Sequence, residues 1–117
     1  MQTATLLRVI NLEDGRPTVE MARAKLLQAM RTAKRNGTPA LKLIHGYGSS
    51  GKGGAIRAEV REVLAQKKRA GELRAFATGE EFSPFCAEGR VLLAAMPELA
   101  KDRDYARGNE GITIVLF

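Results

Sequence analysis

The chain has no tryptophan, a single cysteine, a single histidine and few aromatic residues, 5% in all. A lone thiol, Cys86, closes no internal disulfide and supplies no clustered-thiol metal site, so a reducing compartment, the cytoplasm, is the expectation. Long apolar runs are missing too. The longest, such as Ile112 to Phe117, fall far short of the roughly 20 residues that a membrane span needs, and no signal-peptide pattern opens the sequence, so no membrane association is expected. What remains is 117 residues, read as one domain over 1–117, long enough to bury roughly two-thirds of its unfolded surface without staples. Acidic residues are outnumbered: 19 Lys and Arg against 13 Asp and Glu give a formal charge of +6, and the isoelectric point is about 9.9. Such a field attracts polyanions. Solvated lysines alone account for an excess of this size, so the charge gains meaning only where it coincides with an anion site.

The pattern of apolar residues alternates between strand and helix. Leu6 to Leu12 is a β-rich run stopped by the turn residues Glu13-Asp14-Gly15-Arg16-Pro17. Thr18 then caps a helix with Val19, Ala22, Leu26, Ala29 or Met30 and Ala33 at helical spacing, and Asn36-Gly37 gives its left-handed exit. Ala40 to Ile44 is a second strand. Ile56, Val60, Val63 and Leu64 mark the inner stripe of a second helix ending near Gly71, and Leu73 to Ala77 reads as a short third strand. Beyond it, Ser83-Pro84 starts a helix whose expected inner face is Phe85, Val91, Leu92 and Ala95, stopped at Met96-Pro97; Cys86 and Met96 are read as packing residues. A charged, turn-prone stretch then leads to a buried final strand, Ile112 to Phe117.

This order predicts an α/β fold: a two-layer α/β sandwich on a mixed sheet of about four strands, in the order β-α-β-α-β-(α)-β. A right-handed crossover makes the first two strands parallel, so their carboxyl ends share an edge, the place where open α/β sheets collect ligands. Glu13, Asp14 and His45 should meet there. An antiparallel last strand brings the Arg103 to Gly111 loop to the same edge.

At that edge lies the most informative run, His45-Gly46-Tyr47-Gly48-Ser49-Ser50-Gly51-Lys52-Gly53-Gly54, between a strand and a helix. Glycines let main-chain N–H groups converge, and the first helical turn adds unpaired N–H groups and a positive dipole end. An anion is the natural occupant. Gly46-x-Gly48-x-x-Gly51 matches the dinucleotide-binding fingerprint, yet it lacks an acid at the tip of the next strand and follows the second strand rather than the first. Gly46-x-x-x-x-Gly51-Lys52 resembles a P-loop, but Gly53 stands where a hydroxyl must reach magnesium. Neither nucleotide reading is adopted.

The order of motifs resembles the small MutS-related, or Smr, domain family. Ile44-His45-Gly46-Tyr47-Gly48 and the residues onward to Arg57 look like that family's HGxG motif and the start of its following helix, Thr18-Val19-Glu20-x-Ala22 like the start of its first helix, and Gly111 to Val115 like its closing strand. The resemblance implies a nucleic-acid-binding surface and, in some members, DNA-nicking or RNA-cleaving activity. The family's first strand commonly ends in an LDxHG-like motif; here Ile10-Asn11-Leu12-Glu13-Asp14-Gly15 has asparagine for the acid and no histidine.

The expected function is therefore binding of DNA or RNA through the phosphate backbone. His45, Gly46, Tyr47, Gly48, Gly51, Lys52, Gly53 and Arg57 are the expected contacts: backbone N–H groups cradle a phosphate, Lys52 and Arg57 supply charge, His45 fixes or protonates an oxygen, and Tyr47 stacks on a base or sugar. The enzyme alternative is an endonuclease with His45, Glu13 and Asp14 as catalytic groups. Only that alternative calls for a cofactor, Mg2+ or Mn2+ on the two carboxylates, and no other metal site is expected. A protein-interaction module built on the Thr78 to Gly111 segment is the third reading.

Overall fold

The computed structural model describes residues 6–46 and 52–117, with every side chain in them except that of Lys52. Its framework is a mixed four-stranded sheet in the order β1 (Leu7–Asn11), β2 (Ala40–Ile44), β4 (Ile112–Leu116), β3 (Ala75–Thr78). β1 and β2 run parallel, with Asn11 opposite Ile44, and β4 runs antiparallel to both of its neighbours. The expected α/β order is therefore found, with β3 shifted two residues beyond the start expected at Leu73. Leu73 is buried ahead of the strand, and Arg74 donates its N–H to the carbonyl of Leu116.

Two helices cover one face of the sheet. Helix α1 (Val19–Asn36) starts where Thr18 Oγ1 accepts the N–H of Met21 at 3.1 Å and stops at Gly37, whose φ of 69° is the left-handed exit that glycine tolerates. Its buried residues, Ala22, Leu26, Met30 and Ala33, keep the helical spacing that the sequence shows. Helix α2 (Lys52–Arg69) presents Ile56, Val60, Val63 and Leu64, and both stripes close over Leu41, Leu43 and Val115. Burying each such leucine or valine removes enough apolar surface to be worth about 1.5–3 kcal/mol.

Side chains that alternate to the other face, Ala40, Ile112, Ile114 and Leu116, are covered by the connection between β3 and β4. That connection carries helix α3 (Ala87–Ala95) and a short 3-10 helix, Pro97–Lys101, and it packs Phe82, Leu92, Met96 and Leu99 against the sheet. It adds a short third layer to the two-layer sandwich. Here the expected inner face is corrected: Leu92 is buried, but Phe85 is 87% and Val91 50% exposed. α3 begins two residues later than Phe85, and it reaches the core on the sheet through Leu92, while Gly89 lies against the backbone of Glu81 and Ser83. Met96 packs in the core as expected, while Cys86 is only partly buried at the start of α3. No helix among the described residues is long and apolar enough to cross a membrane.

Candidate nucleic-acid interface

The carboxyl ends of β1 and β2 lie side by side, and the amino end of β4 completes the edge. Leu12 donates its N–H to Ile44 O at 2.7 Å, which extends the parallel pairing by one step and delivers Glu13 to the start of the glycine loop. Asn11, in the position where the resemblance leads one to look for an acid, accepts the N–H of Glu13 on its Oδ1 at 3.0 Å. It is a turn-forming residue. The Glu13 carboxylate lies where a Cβ on residue 46 would stand, a contact that a flexible side chain can relieve; it is the φ of +74° that favours glycine here.

Of the expected meeting of Glu13, Asp14 and His45, the structure brings Glu13 only as far as Gly46, next along the chain from His45; the His45 ring turns inward to Thr113, and Asp14 goes elsewhere. It lines an open groove with Pro17 and Met21 on the side of α1. Among the described residues no group of three or more His, Cys, Asp or Glu side chains converges as a metal site. Two carboxylates of one turn, facing different ways, do not make the multi-oxygen shell that Mg2+ or Mn2+ requires.

His45 differs most from the sequence expectation. Its side chain is fully buried, with Nδ1 2.7 Å from Gly46 O and Nε2 2.9 Å from Thr113 Oγ1. A carbonyl oxygen only accepts, so Nδ1 carries the proton, and neutral Nε2 accepts from the Thr113 hydroxyl. Burial pushes the imidazole below its ordinary value; the Gly46 carbonyl opposes this, and the positive charges of Arg61 and Arg57 push the same way as burial. A neutral, fully bonded ring has no nitrogen left to offer a phosphate oxygen, so His45 acts as a positioning residue.

The main chain beside it is equally committed. Gly111 O accepts the N–H of His45 at 2.9 Å and that of Gly46 at 3.2 Å. The expectation that Gly46 lends its amide to a phosphate cradle is corrected: that donor holds the loop to β4. Tyr47, Gly48 and Gly51 lie outside the described residues, as does the Lys52 side chain; Gly53 falls in the first turn of α2.

Arg57 reaches the edge from α2 and pairs with Glu110 at 3.1 Å, with the arginine side chain 26% exposed. One turn further on, Arg61 pairs with Glu80 at 3.1 Å. Its Nε is buried with no partner among the described residues. Burial raises the Glu80 carboxyl, but a backbone N–H and Arg61 more than offset that and leave it lowered. The first turn of α2 contains no acidic residue, whereas α1 has Glu20 there. The positive end of the α2 dipole is therefore not neutralised by a carboxylate of its own first turn.

Sequence reasoning missed Gly111, Thr113 and Glu110. Thr113 had a signal: it is the one hydroxyl inside an otherwise apolar strand, Ile112-Thr113-Ile114-Val115-Leu116.

Residues 15–81, more than half of the chain, match the Smr domain. Among solved structures, the crystal structure of the Smr domain of Thermus thermophilus MutS2 superposes with a TM-score of 0.57 at 25% identity, covering 93% of this chain and 95% of that one. No curated protein matches the chain. With the family match running from the β1 turn through β3, and the sheet and helices superposing on that structure, the chain belongs to the Smr domain family.

Proposed function

We propose that this domain binds DNA or RNA through the sugar-phosphate backbone at the sheet edge from His45 to Arg57, and that it does so without efficient cleavage. The family is in general a nucleic-acid-binding and nuclease-type one. The observation that carries the reading is the α2 amino terminus: it opens at the carboxyl end of a parallel strand pair, has no acid in its first turn, and bears Arg57. Gly46 and His45 hold the loop base rigid rather than touch the ligand. Phosphate contact then falls to the Gly48, Gly51 and Gly53 amides, Lys52 and Arg57, with Tyr47 as the stacking residue. Arg57 must exchange Glu110 for the phosphate.

Binding is ranked above cleavage because the ring nitrogens of His45 are both engaged and Asn11 replaces an acid. A ring that neither gives nor takes a proton at neutral pH is no general acid or base.

The test is fluorescence anisotropy of labelled single-stranded and duplex DNA and RNA at about 50 and 200 mM salt, with the wild type and with Lys52→Ala/Arg57→Ala, beside magnesium and manganese cleavage lanes. Each single-strand phosphate that a cation neutralises adds about 0.7 to the salt slope, so a slope shallower by about 1.4 in the double variant supports the loop. Scission that depends on Glu13 or Asp14 favours the nuclease instead. Binding at unchanged affinity to a partner protein at salt that abolishes nucleic-acid binding favours the interaction module.

A further inference from the structure

Beyond the loop, and resting on the nucleic-acid reading above, we propose that the groove between the outer edge of β1 and helix α1 is a second phosphate track, which takes the backbone of a single strand as it leaves the glycine loop. Two open cavities form it. One, of about 200 Å³, is lined by Arg8, Ile10, Lys25, Gln28, Ala29 and Thr32. The other, of about 380 Å³, shares Lys25 and Gln28 and continues through Met21 to Leu12, Pro17 and Asp14, beside the Glu13 turn. The shared residues make them one channel. From Met21 to Thr32 it follows α1 for about 16 Å, at about 1.5 Å per residue, and its near end adjoins the turn whose Glu13 packs on Gly46.

Charge decides what the channel suits. At the loop, the described arginines are already matched, Arg57 by Glu110 and Arg61 by Glu80. Along the channel they are not. Arg8 and Lys25, which line it, are exposed, as are Arg31 and Arg35 farther along α1, and none of these four forms a salt bridge among the described residues. Arg31 and Arg35 follow Gln28 and Thr32 by three residues, the spacing that keeps them on the same side of the helix. Glu20 is the only acid in α1, and Asp14 the only one among the described residues that lines the channel. Positive charge without a carboxylate partner therefore lies on this flank, with Gln28 and Thr32 adding neutral donors.

Addition of a peptide strand to β1 is the competing use of the same edge. Lys25 Nζ, however, donates to Asn11 O at 2.6 Å. A lysine on the backbone acceptor and an arginine in the strand are the devices that blunt an edge against pairing. The Lys25 ammonium keeps two further N–H donors beyond that bond.

The test uses the full chain with fluorescein-labelled oligothymidylate and oligouridylate of about four and about sixteen nucleotides, the span of common single-strand site sizes. Arg8→Gln/Lys25→Gln removes two channel charges; Lys68→Gln/Arg69→Gln removes two exposed charges at the far end of α2 and serves as the control. The expected result is a salt slope lower by about 1.4 for the channel variant on the long probe, little change on the short probe, and little change in the control. Gln28→Lys/Thr32→Lys should do the reverse, tightening the long probe and steepening its slope. Equal loss in channel and control variants, or no gain from the added lysines, overturns the track while leaving loop binding standing. A wild type that binds neither probe overturns both readings, and saturable capture of an extended peptide by the wild type but not by a Val9→Pro variant assigns the edge to strand addition instead.

Discussion

The ammonium of Lys42 lies 2.6 Å from Oδ2 of Asp104, a residue far along the chain and beneath the sheet. Asp102 takes the same nitrogen on Oδ1 at 2.8 Å, and all three side chains are largely buried. From this clasp hydrogen bonds run to the glycine loop. Asn109 Nδ2 donates to the other oxygen of Asp104 at 3.0 Å, Gly111 N–H donates to Asn109 Oδ1 at 2.9 Å, and Gly111 O receives His45 and Gly46. A salt bridge on one face of the sheet thus sets the height of the loop base at its edge.

Removing one member of this clasp strands the others. Lys42→Met leaves two partly buried carboxylates uncompensated and should destabilise the domain by about 3 kcal/mol in urea unfolding, whereas Lys42→Met/Asp102→Asn/Asp104→Asn should recover much of the loss. The pH dependence has two limbs. Burial raises the Asp104 carboxyl, but Lys42 and Asn109 outweigh it, so its folded value sits below the ordinary 3.8; its contribution is complete above that value and lost as pH falls through the folded one. Burial lowers the Lys42 ammonium, but its two aspartates outweigh that and place it above the ordinary 10.5; its contribution is complete below 10.5 and lost as pH rises through the folded value. Equal stability of the single and triple variants would contradict the account.

For His45 the expected signature is a neutral ring with the proton on Nδ1. Nitrogen chemical shifts should show that tautomer at pH 7 and no titration near the ordinary 6.5, because the folded value is lowered. The unfolded chain takes up its proton first as pH falls. Stability from this group is therefore full above 6.5 and declines below it until the folded ring also protonates. His45→Ala removes a ring bonded at both nitrogens inside the core and should cost about 2–4 kcal/mol. A ring that titrates at 6.5 or above would return it to the role of proton shuttle.

Most of the framework was legible in the sequence because the sheet and both long helices follow simple periods. Ala22, Leu26, Met30 and Ala33 give α1 away, and Thr18 and Gly37 bound it to the residue. Phe85 misled because it precedes the helix, and Val91 because a nine-residue helix packs through so few side chains that a run of apolar residues does not say which of them face inward. Lys42 was hidden by its neighbours: in Ala40-Leu41-Lys42-Leu43-Ile44 the leucines fix the strand, but the two aspartates that justify a buried cation lie in a turn whose position depends on tertiary packing. His45 was found as a motif residue, yet its role depends, besides the neighbouring Gly46 O, on Thr113, a contact made only once β2 and β4 pair.

Glu110 competes with phosphate for Arg57. The pair is 3.1 Å apart, and the glutamate side chain is 55% exposed, so its intrinsic worth is small, about 0.2–1 kcal/mol. Glu110→Gln frees the guanidinium and removes a repulsive charge at the same edge. Affinity for oligonucleotides should rise by about 1.4- to five-fold, the equivalent of that pair energy, with little change in thermal stability. Weaker binding would mean that Glu110 holds Arg57 in its binding pose rather than occupying it.

Gly79 gives the most local probe of the connection between β4 and the loop. It lies against the turn after Asn109, where a Cβ would overlap the Asn109 carbonyl oxygen, and its own N–H donates to Ile112 O at 2.9 Å. Backbone cannot yield as a flexible side chain can, so Gly79→Ala must push Asn109 outward and with it the amide of Gly111 that Asn109 Oδ1 holds. Gly37→Ala is the matched control: with nothing within 4 Å of its Cβ, it meets only the strain of φ +69°, about 1 kcal/mol, and lies far along the chain from this relay. Both variants should lose stability, but only Gly79→Ala should shift the amide resonances of His45 and Gly46 and weaken nucleic-acid binding in the fraction that remains folded. If the two variants leave those resonances equally undisturbed, Gly111 does not set the loop base, and the chain of bonds from Lys42 ends at Asn109.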